Sequence, residues 1–453
     1  MMGSGKNNGL SLPWPTSSLA SLLSEPVRNG IYKTKEYHGR GCKIVNMGEL
    51  FAHSRMYSIP MKRVQLNESE QRRFLLEAGD LIFARRSLTA AGAGKCSIVL
   101  EVSEPTTFES SIIRARPDPQ KANPEFLYYF FSSLQGYQAL DTIRRQVAVA
   151  GITGGDLSQL PIPTPPMLVQ NSIAETLSQF DKKIELNRQI NETLEGMAQA
   201  IFRDWFVDFG PVRRAQAGAT DPVAILGGLT PDPTRAAQIA ALFPVAFGND
   251  GLPMGWQRLS LADIAVQGKG SINPLRQPDT IFEHYSLPAF DKGQEPAMDA
   301  GSKIKSNKTP VPQGAILLSK LNPETLRVWL PNDWGGVVQI ASTEFLVFAP
   351  KAGASRSLLF ALFRDPEFRT LMQGMVTGTS RSHQRISPPA LLAQEVLSAD
   401  HALFPAFASI VEPMLERLLA SRAENQILTE TRNYLLPRLM SGAVRVAPQA
   451  EAA

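Results

Sequence analysis

The stretch Ile173–Phe206, IAETLSQFDKKIELNRQINETLEGMAQAIFRDWF, decides how this chain folds. Ile173, Leu177, Phe180, Ile184, Asn187, Asn191, Leu194, Ala198, Ile201 and Trp205 recur at alternating steps of four and three. That spacing is the apolar seam of a helix packed lengthwise on another helix. Two seam positions carry Asn. A seam Asn lowers stability but fixes register, because its amide needs a polar partner.

The partner helix lies in the same chain. At an offset of 234 residues, Phe180 corresponds to Met414, Ile184 to Leu418, Asn187 to Ser421 and Asn191 to Asn425. Leu194, Ile201 and Trp205 correspond in the same way to Leu428, Leu435 and Leu439. A long helix duplicated at half the chain length is an internal repeat; chance register of two unrelated helices is the competing reading. The expected pairing seam is Leu177, Phe180, Ile184, Asn187, Asn191, Leu194 and Ile201 against Leu418, Asn425, Leu428 and Leu435. Pro413 marks the start of the second helix or a kink in it, and Pro437 ends or kinks its last turn.

The globular parts repeat as well. GDLIFARRS (79–87) parallels GAILLSKLN (314–322), SSIIRARP (110–117) loosely parallels EFLVFAP (344–350), and Ile152 matches Ile386 at the same offset of 234. Short alternating runs between Gly and polar turns read as strands. The predicted class is α+β: two α/β globular domains joined by two long antiparallel helices, an intramolecular coiled coil with pseudo-two-fold internal repeat. The expected boundaries are 1–165 and 252–400 for the globular domains, 166–209 for the central helix and 401–442 for the C-terminal helix. The Ala-, Gly- and Pro-rich segment 210–251 reads as a linker or insertion with at most a short helix. Residues 443–453 read as a flexible tail.

Net charge is +4 over 453 residues, weakly basic and compatible with an anionic partner. The excess lies in residues 1–165, with 19 Lys and Arg against 14 Asp and Glu. Cys42 and Cys96 form no disulfide framework, which fits a reducing cytosol. No apolar run approaches the ~20 residues of a membrane span, and the N-terminus lacks a signal-peptide core. The cytoplasm is the expected location.

Catalytic constellations are missing. AGAGKCS (91–97) fails the phosphate-loop pattern at two positions. TPPM (164–167) and SPPA (387–390) lack the end residues of an amino-methyltransferase motif. No Gly-rich strand–turn–helix signature is present, and the five His show no metal-ligand spacing. The expectation is a chain with no enzymatic activity, no metal and no cofactor of its own.

Polar clusters suited to DNA do recur in both halves. Arg85, Arg86 and Lys95 lie at or after one strand; Lys320, Asn322 and Arg327 fall at the equivalent place. Arg144, Arg145 and Gln146 precede one pre-helix loop, and Ser380, Arg381, His383, Gln384 and Arg385 occupy the other. Arg and Gln read base edges by paired hydrogen bonds, and Arg and Lys position phosphates. Solvated loops with internally paired Arg are the bland alternative for any one of them. A two-headed coiled-coil scaffold that binds other proteins is the alternative for the whole chain.

The segment LNRQINETLEGMAQAIFRDWFVDFGPV closely resembles the central region of the specificity subunit of type I restriction–modification systems. AENQILTETRNYLLPRLMSG resembles that family's C-terminal region, and LLSKLNPETLRVWLP and GTSRSHQRIS resemble parts of its target-recognition domains. The resemblance implies that each globular domain is a target-recognition domain reading one half of a bipartite, asymmetric DNA target. The helices then set the spacer. It implies partners: double-stranded DNA, two methyltransferase (modification) subunits carrying AdoMet, and restriction (endonuclease/translocase) subunits that use ATP and Mg. Phe202, Trp205, Phe206 and Phe209 are candidate partner-docking residues, with packing against the chain's own domains as the equal alternative.

Overall fold

A computed structural model describes residues 14–145, 150–351, 353–376 and 384–446. The chain divides into two compact units, and the division cuts both long helices: residues 1–186 with 424–453, and residues 187–423. The expected boundaries at the helix ends are therefore not where the packing divides.

In the first unit a five-stranded sheet is built from β1 (Leu23–Asn29), β2 (Arg55–Met56), β3 (Leu81–Ala84), β5 (Cys96–Val99) and β6 (Ile112–Pro117); β4 (Arg86–Ser87) follows β3 outside it. The strand order is β1-β6-β3-β5-β2. Side chains alternate across a strand. Leu81 and Phe83 accordingly enter one apolar cluster and Ile82 and Ala84 another. Burial on both faces explains why this strand is apolar at every position. Helices α1 (Pro124–Ser132) and α2 (Leu134–Ile143) pack on the first face, their N-termini capped by the Asn123 and Ser133 side chains. Ile173, Ala174 and Leu177 of the first long helix, α3 (Met167–Phe206), share that core with Leu436, Leu439 and Met440.

The second unit repeats the plan. Strands β8 (Ala265–Gln267), β9 (Ile316–Ser319), β10 (Val328–Trp329) and β11 (Phe345–Pro350) form a sheet in the order β8-β11-β9-β10. Ile316 and Leu318 face one core, Leu317 the other. Helices α4 (Arg356–Arg364) and α5 (Pro366–Gly374) are capped by Ser355 and Asp365. Each globular part closes with a strand that leads into a long helix: Pro161–Pro163 pairs with Thr16–Ser18, and Glu395–Ala399 with Gln257–Ser260.

The second long helix, α6, runs Leu403–Met440 without interruption. Pro413 neither starts nor breaks it, contrary to expectation. Proline removes the N–H that would satisfy the carbonyl four residues earlier. That carbonyl, on Ser409, accepts instead from Arg235 Nη2 at 3.1 Å. Arg235 lies in the helix Pro233–Ala240. The stretch 210–251 is thus no linker. It folds into three short helices, Gly210–Gln216, Pro222–Ile225 and Pro233–Ala240, and buries Val212, Leu226, Ala236, Ile239 and Phe243 in the core of the second unit. Apolar residues interspersed among its Gly and Pro carry that packing.

Within each unit the two helices run antiparallel. In the first, Asp181 pairs with Arg432, and Lys183 with Glu424 at 3.5 Å. In the second, Glu195 pairs with Arg422 at 2.9 Å while Phe206 meets Phe404. The predicted seam faces inward: Leu177, Asn187, Asn191, Ile201 and Leu418 are buried, and Phe180, Ile184, Leu194, Asn425, Leu428 and Leu435 half-buried. Asn425 Nδ2 donates to the Ile184 carbonyl at 3.4 Å. Asn191 Oδ1 is buried with no donor among the described residues. An unmet acceptor costs about 1–3 kcal/mol. Asn191→Leu is expected to stabilise the second unit by about 1 kcal/mol, read as a rise in its urea midpoint; a fall would show that the amide is satisfied.

The aromatic cluster proposed as a docking surface is core. Phe202, Trp205 and Phe206 are buried, and Phe209 is half-buried against it. Trp205 meets Phe243 edge-on at 5.1 Å and Phe206 meets Phe407 at 5.4 Å. Phe209 lies 5.4 Å from Trp256. These rings cover one another, so no face of Phe202, Trp205 or Phe206 is left for a partner.

Candidate nucleic-acid interface

In the first unit the chain leaves β3 at Arg85. The Arg85 N–H donates to the Ser111 carbonyl at 2.8 Å, and its own carbonyl accepts from the Ile152 N–H at 3.0 Å. The next two residues, β4, pair antiparallel with β7 (Ala150–Gly151), placing Arg86 opposite Gly151. Arg145 exchanges backbone hydrogen bonds with Gly151 at 2.9 and 3.3 Å. The pre-helix loop is thereby laid across the end of the sheet, and Arg85, Arg86 and Arg145 share one edge. Arg86 is exposed, and no carboxylate pairs with it among the described residues. Arg145 is exposed and paired with Asp156 at 2.8 Å. The Thr153 hydroxyl and Arg145 hold the Asp156 carboxyl below its ordinary range, keeping it ionised. Arg85 is half-buried, its guanidinium 3.4 Å from the Ser110 carbonyl.

The second unit has the same frame. Ile386 N–H donates to the Lys320 carbonyl at 3.1 Å, as Ile152 does to Arg85. Leu321 bridges Arg385 as Arg86 pairs with Gly151. Asn322 N–H donates to the Gln384 carbonyl at 2.9 Å. Asn322 turns the chain with φ of 49°, a left-handed conformation that Asn tolerates. Arg385 is exposed and bidentate on Glu344 at 3.1 and 3.0 Å, and this contact holds the Glu344 carboxyl low. Lys320 is half-buried on the same edge.

Three predicted DNA contacts are instead internal braces. Lys95 Nζ donates to the Phe51 carbonyl at 2.6 Å, and burial lowers its pKa. Arg144 is 3% exposed, stacked on Tyr137 at 4.2 Å with Nε on the Ala93 carbonyl. Arg327 is 13% exposed and bidentate on Asp291 at 2.7 and 3.0 Å. Each is held by a group far away in sequence. Gln146, Ser380, Arg381 and His383 lie outside the described residues.

Residue types alone did not reveal the polar junction under the first domain, where Asp181, Tyr129, Arg55 and Arg432 meet. Its only sequence signal is an Asp beside an apolar seam. Among the described residues no group of three or more His, Cys, Asp or Glu is placed to hold a metal ion. No described helix is long and apolar enough to cross a membrane.

Residues 28–196 match the family model described as type I restriction modification DNA specificity domain. The chain is 24% identical over 414 residues to the type I restriction enzyme HindI specificity subunit of Haemophilus influenzae, covering 82% of this chain and 87% of that one. It is 23% identical over 429 residues to the MjaIX specificity subunit of Methanocaldococcus jannaschii, covering 91% and 89%. The crystal structure of a type I restriction–modification S subunit from M. genitalium shares the fold, with a TM-score of 0.54 and 15% identity over 96% of this chain and 98% of that one. A duplicated sheet-and-helix fold, a basic loop frame in each half and these similarities converge. Residues 28–196 thus match the type I restriction modification DNA specificity domain, and the chain as a whole is similar to type I restriction enzyme specificity subunits.

Proposed function

We propose that each globular domain reads one half of a bipartite, asymmetric DNA target and that the paired helices set the spacer between the halves. The observation that carries this is one backbone frame with different side chains: Arg85, Arg86 and Arg145 in the first unit, Lys320 and Arg385 in the second. An equivalent frame presents each loop to the duplex in a similar way, and unlike side chains then select unlike half-sites.

The chain acts without catalysis of its own. AdoMet, ATP and Mg belong to partner subunits: two methyltransferase subunits that dock on the helices, and restriction (endonuclease/translocase) subunits that join through them. Exposed apolar residues on the helices are better docking candidates than the aromatic cluster. They are Leu168, Leu186, Ile427 and Tyr434 in the first unit and Met197 in the second, exposed by 63, 50, 64, 59 and 44%. The cytoplasm, where DNA is modified, is the site of action.

The purified chain with AdoMet is expected to methylate nothing. Together with a methyltransferase partner it should protect one split sequence, with affinity that falls steeply with salt. Modification without sequence preference, or salt-insensitive binding, would contradict the reading. Within that complex Arg86→Ala is expected to lower the slope of log affinity against log salt by about 1 if it touches a phosphate, or to relax one base position if it reads an edge. An unchanged slope and unchanged selectivity would remove Arg86 from the interface.

A further inference from the structure

Leu88 is 94% exposed, more than any other large apolar side chain among the described residues. A lone exposed leucine is ordinary on a protein surface. The position and rigidity of this one are not. It follows β4 directly, and the sequence Arg86, Ser87, Leu88 alternates exposed, half-buried, exposed. Leu88 therefore projects from the edge that carries Arg86 and, through β7, Arg145.

The turn behind it is closed. Thr89 N–H donates to Ser87 Oγ at 3.2 Å. The Gly92 and Ala93 N–H groups donate to the carbonyls of Thr89 and Ala90 at 3.1 and 3.2 Å, forming the short 3-10 turn Ala90–Gly92. A Cβ at Gly92 would lie 2.2 Å from Ser87 Oγ, so a larger residue there would displace the hydroxyl that closes the turn. The leucine is thus held out on a preorganised tip two residues beyond the exposed Arg86.

We propose that Leu88 is an apolar wedge that the first domain inserts between base pairs of its half-site. Leucine is among the side chains that partly unstack a base step and kink the duplex, while flanking Arg hold the phosphates. In the second unit the corresponding turn carries Asn322 in the left-handed conformation and exposed Glu324, with no exposed apolar tip. Only the first half-site is wedged, and its recognition includes the deformability of one step. This rests on the DNA-reading role proposed above.

The test uses the complex of the full chain with its methyltransferase partner and duplexes carrying the target that the wild-type complex methylates. Leu88→Ala is expected to weaken binding on the order of tenfold, since the apolar contact that offsets the cost of unstacking a step is lost. Leu88→Met should bind as wild type, and Leu134→Ala, at a leucine 64% exposed elsewhere in this unit, should have no effect. A single-strand nick lowers the cost of opening a step without altering base edges. Moved step by step through the first half-site, it should restore Leu88→Ala binding at one position and at none in the second. Unchanged affinity of Leu88→Ala, an equal loss for Leu134→Ala, or a loss that no nick relieves would overturn the wedge. No sequence-specific binding by the wild-type complex would overturn the DNA-reading role itself, and the wedge with it.

Discussion

Asp181→Ala is expected to destabilise the first unit by about 3–5 kcal/mol, the range for removing one partner of a buried ion pair. Four elements meet at this carboxylate. Tyr129 Oη of α1 donates to it at 2.6 Å, Arg55 of β2 lies 3.7 Å away, and Arg432 of α6 donates from the facing helix to Asp181 on α3. The Asp181 and Arg55 side chains are 6 and 9% exposed, so solvent cannot replace the lost charge. Burial, with the neighbouring carboxylate, pushes the Tyr129 hydroxyl well above its ordinary range, and it stays a donor at any physiological pH. Asp181→Asn keeps an acceptor for Tyr129 and should cost less than Asp181→Ala. Urea unfolding followed by a probe in the first unit checks the order. A loss below about 1 kcal/mol for the alanine variant, the value of a surface pair, would show that the junction does not hold the domain on its helices.

Trp205→Ala is expected to cost the second unit about 3–5 kcal/mol, as for other buried large-to-small replacements. Trp205 is fully buried, ringed by Phe206, Phe243 and Phe407 at 6.2, 5.1 and 6.0 Å. The unfolding midpoint of the isolated chain is the measurement. A stable variant that fails only to bind a methyltransferase partner would return the cluster to the docking role that its composition suggested.

Periodicity made the helices legible. Steps of four and three name the seam, and the offset of 234 pairs Ile152 with Ile386, which occupy equivalent hydrogen-bonding places in the two units. The last turns of α3 carried a signal of their own. Ile201, Phe202, Trp205 and Phe206 cover more than one helix face, which marks a helix end buried on several sides rather than a one-sided seam. Charge was less legible than pattern. Lys95, Arg144 and Arg327 are held by the Phe51 carbonyl, the Ala93 carbonyl and Asp291, partners that only the fold brings near. Among the described residues Arg86 has no such partner, because the loop pairing at Gly151 takes up its backbone and leaves its side chain outside. Pro413 misleads as a helix signal for the same kind of reason: Arg235, 174 residues before Ser409, meets the carbonyl that proline leaves open.

We propose that each of the two globular domains reads its own half of the target. Exchanging residues 252–400 for the equivalent domain of another specificity subunit, then mapping methylated adenines in DNA modified by the complex, tests it most directly. One half-site is expected to change while the other half-site and the spacer stay the same. A change in both half-sites, or in neither, would contradict it.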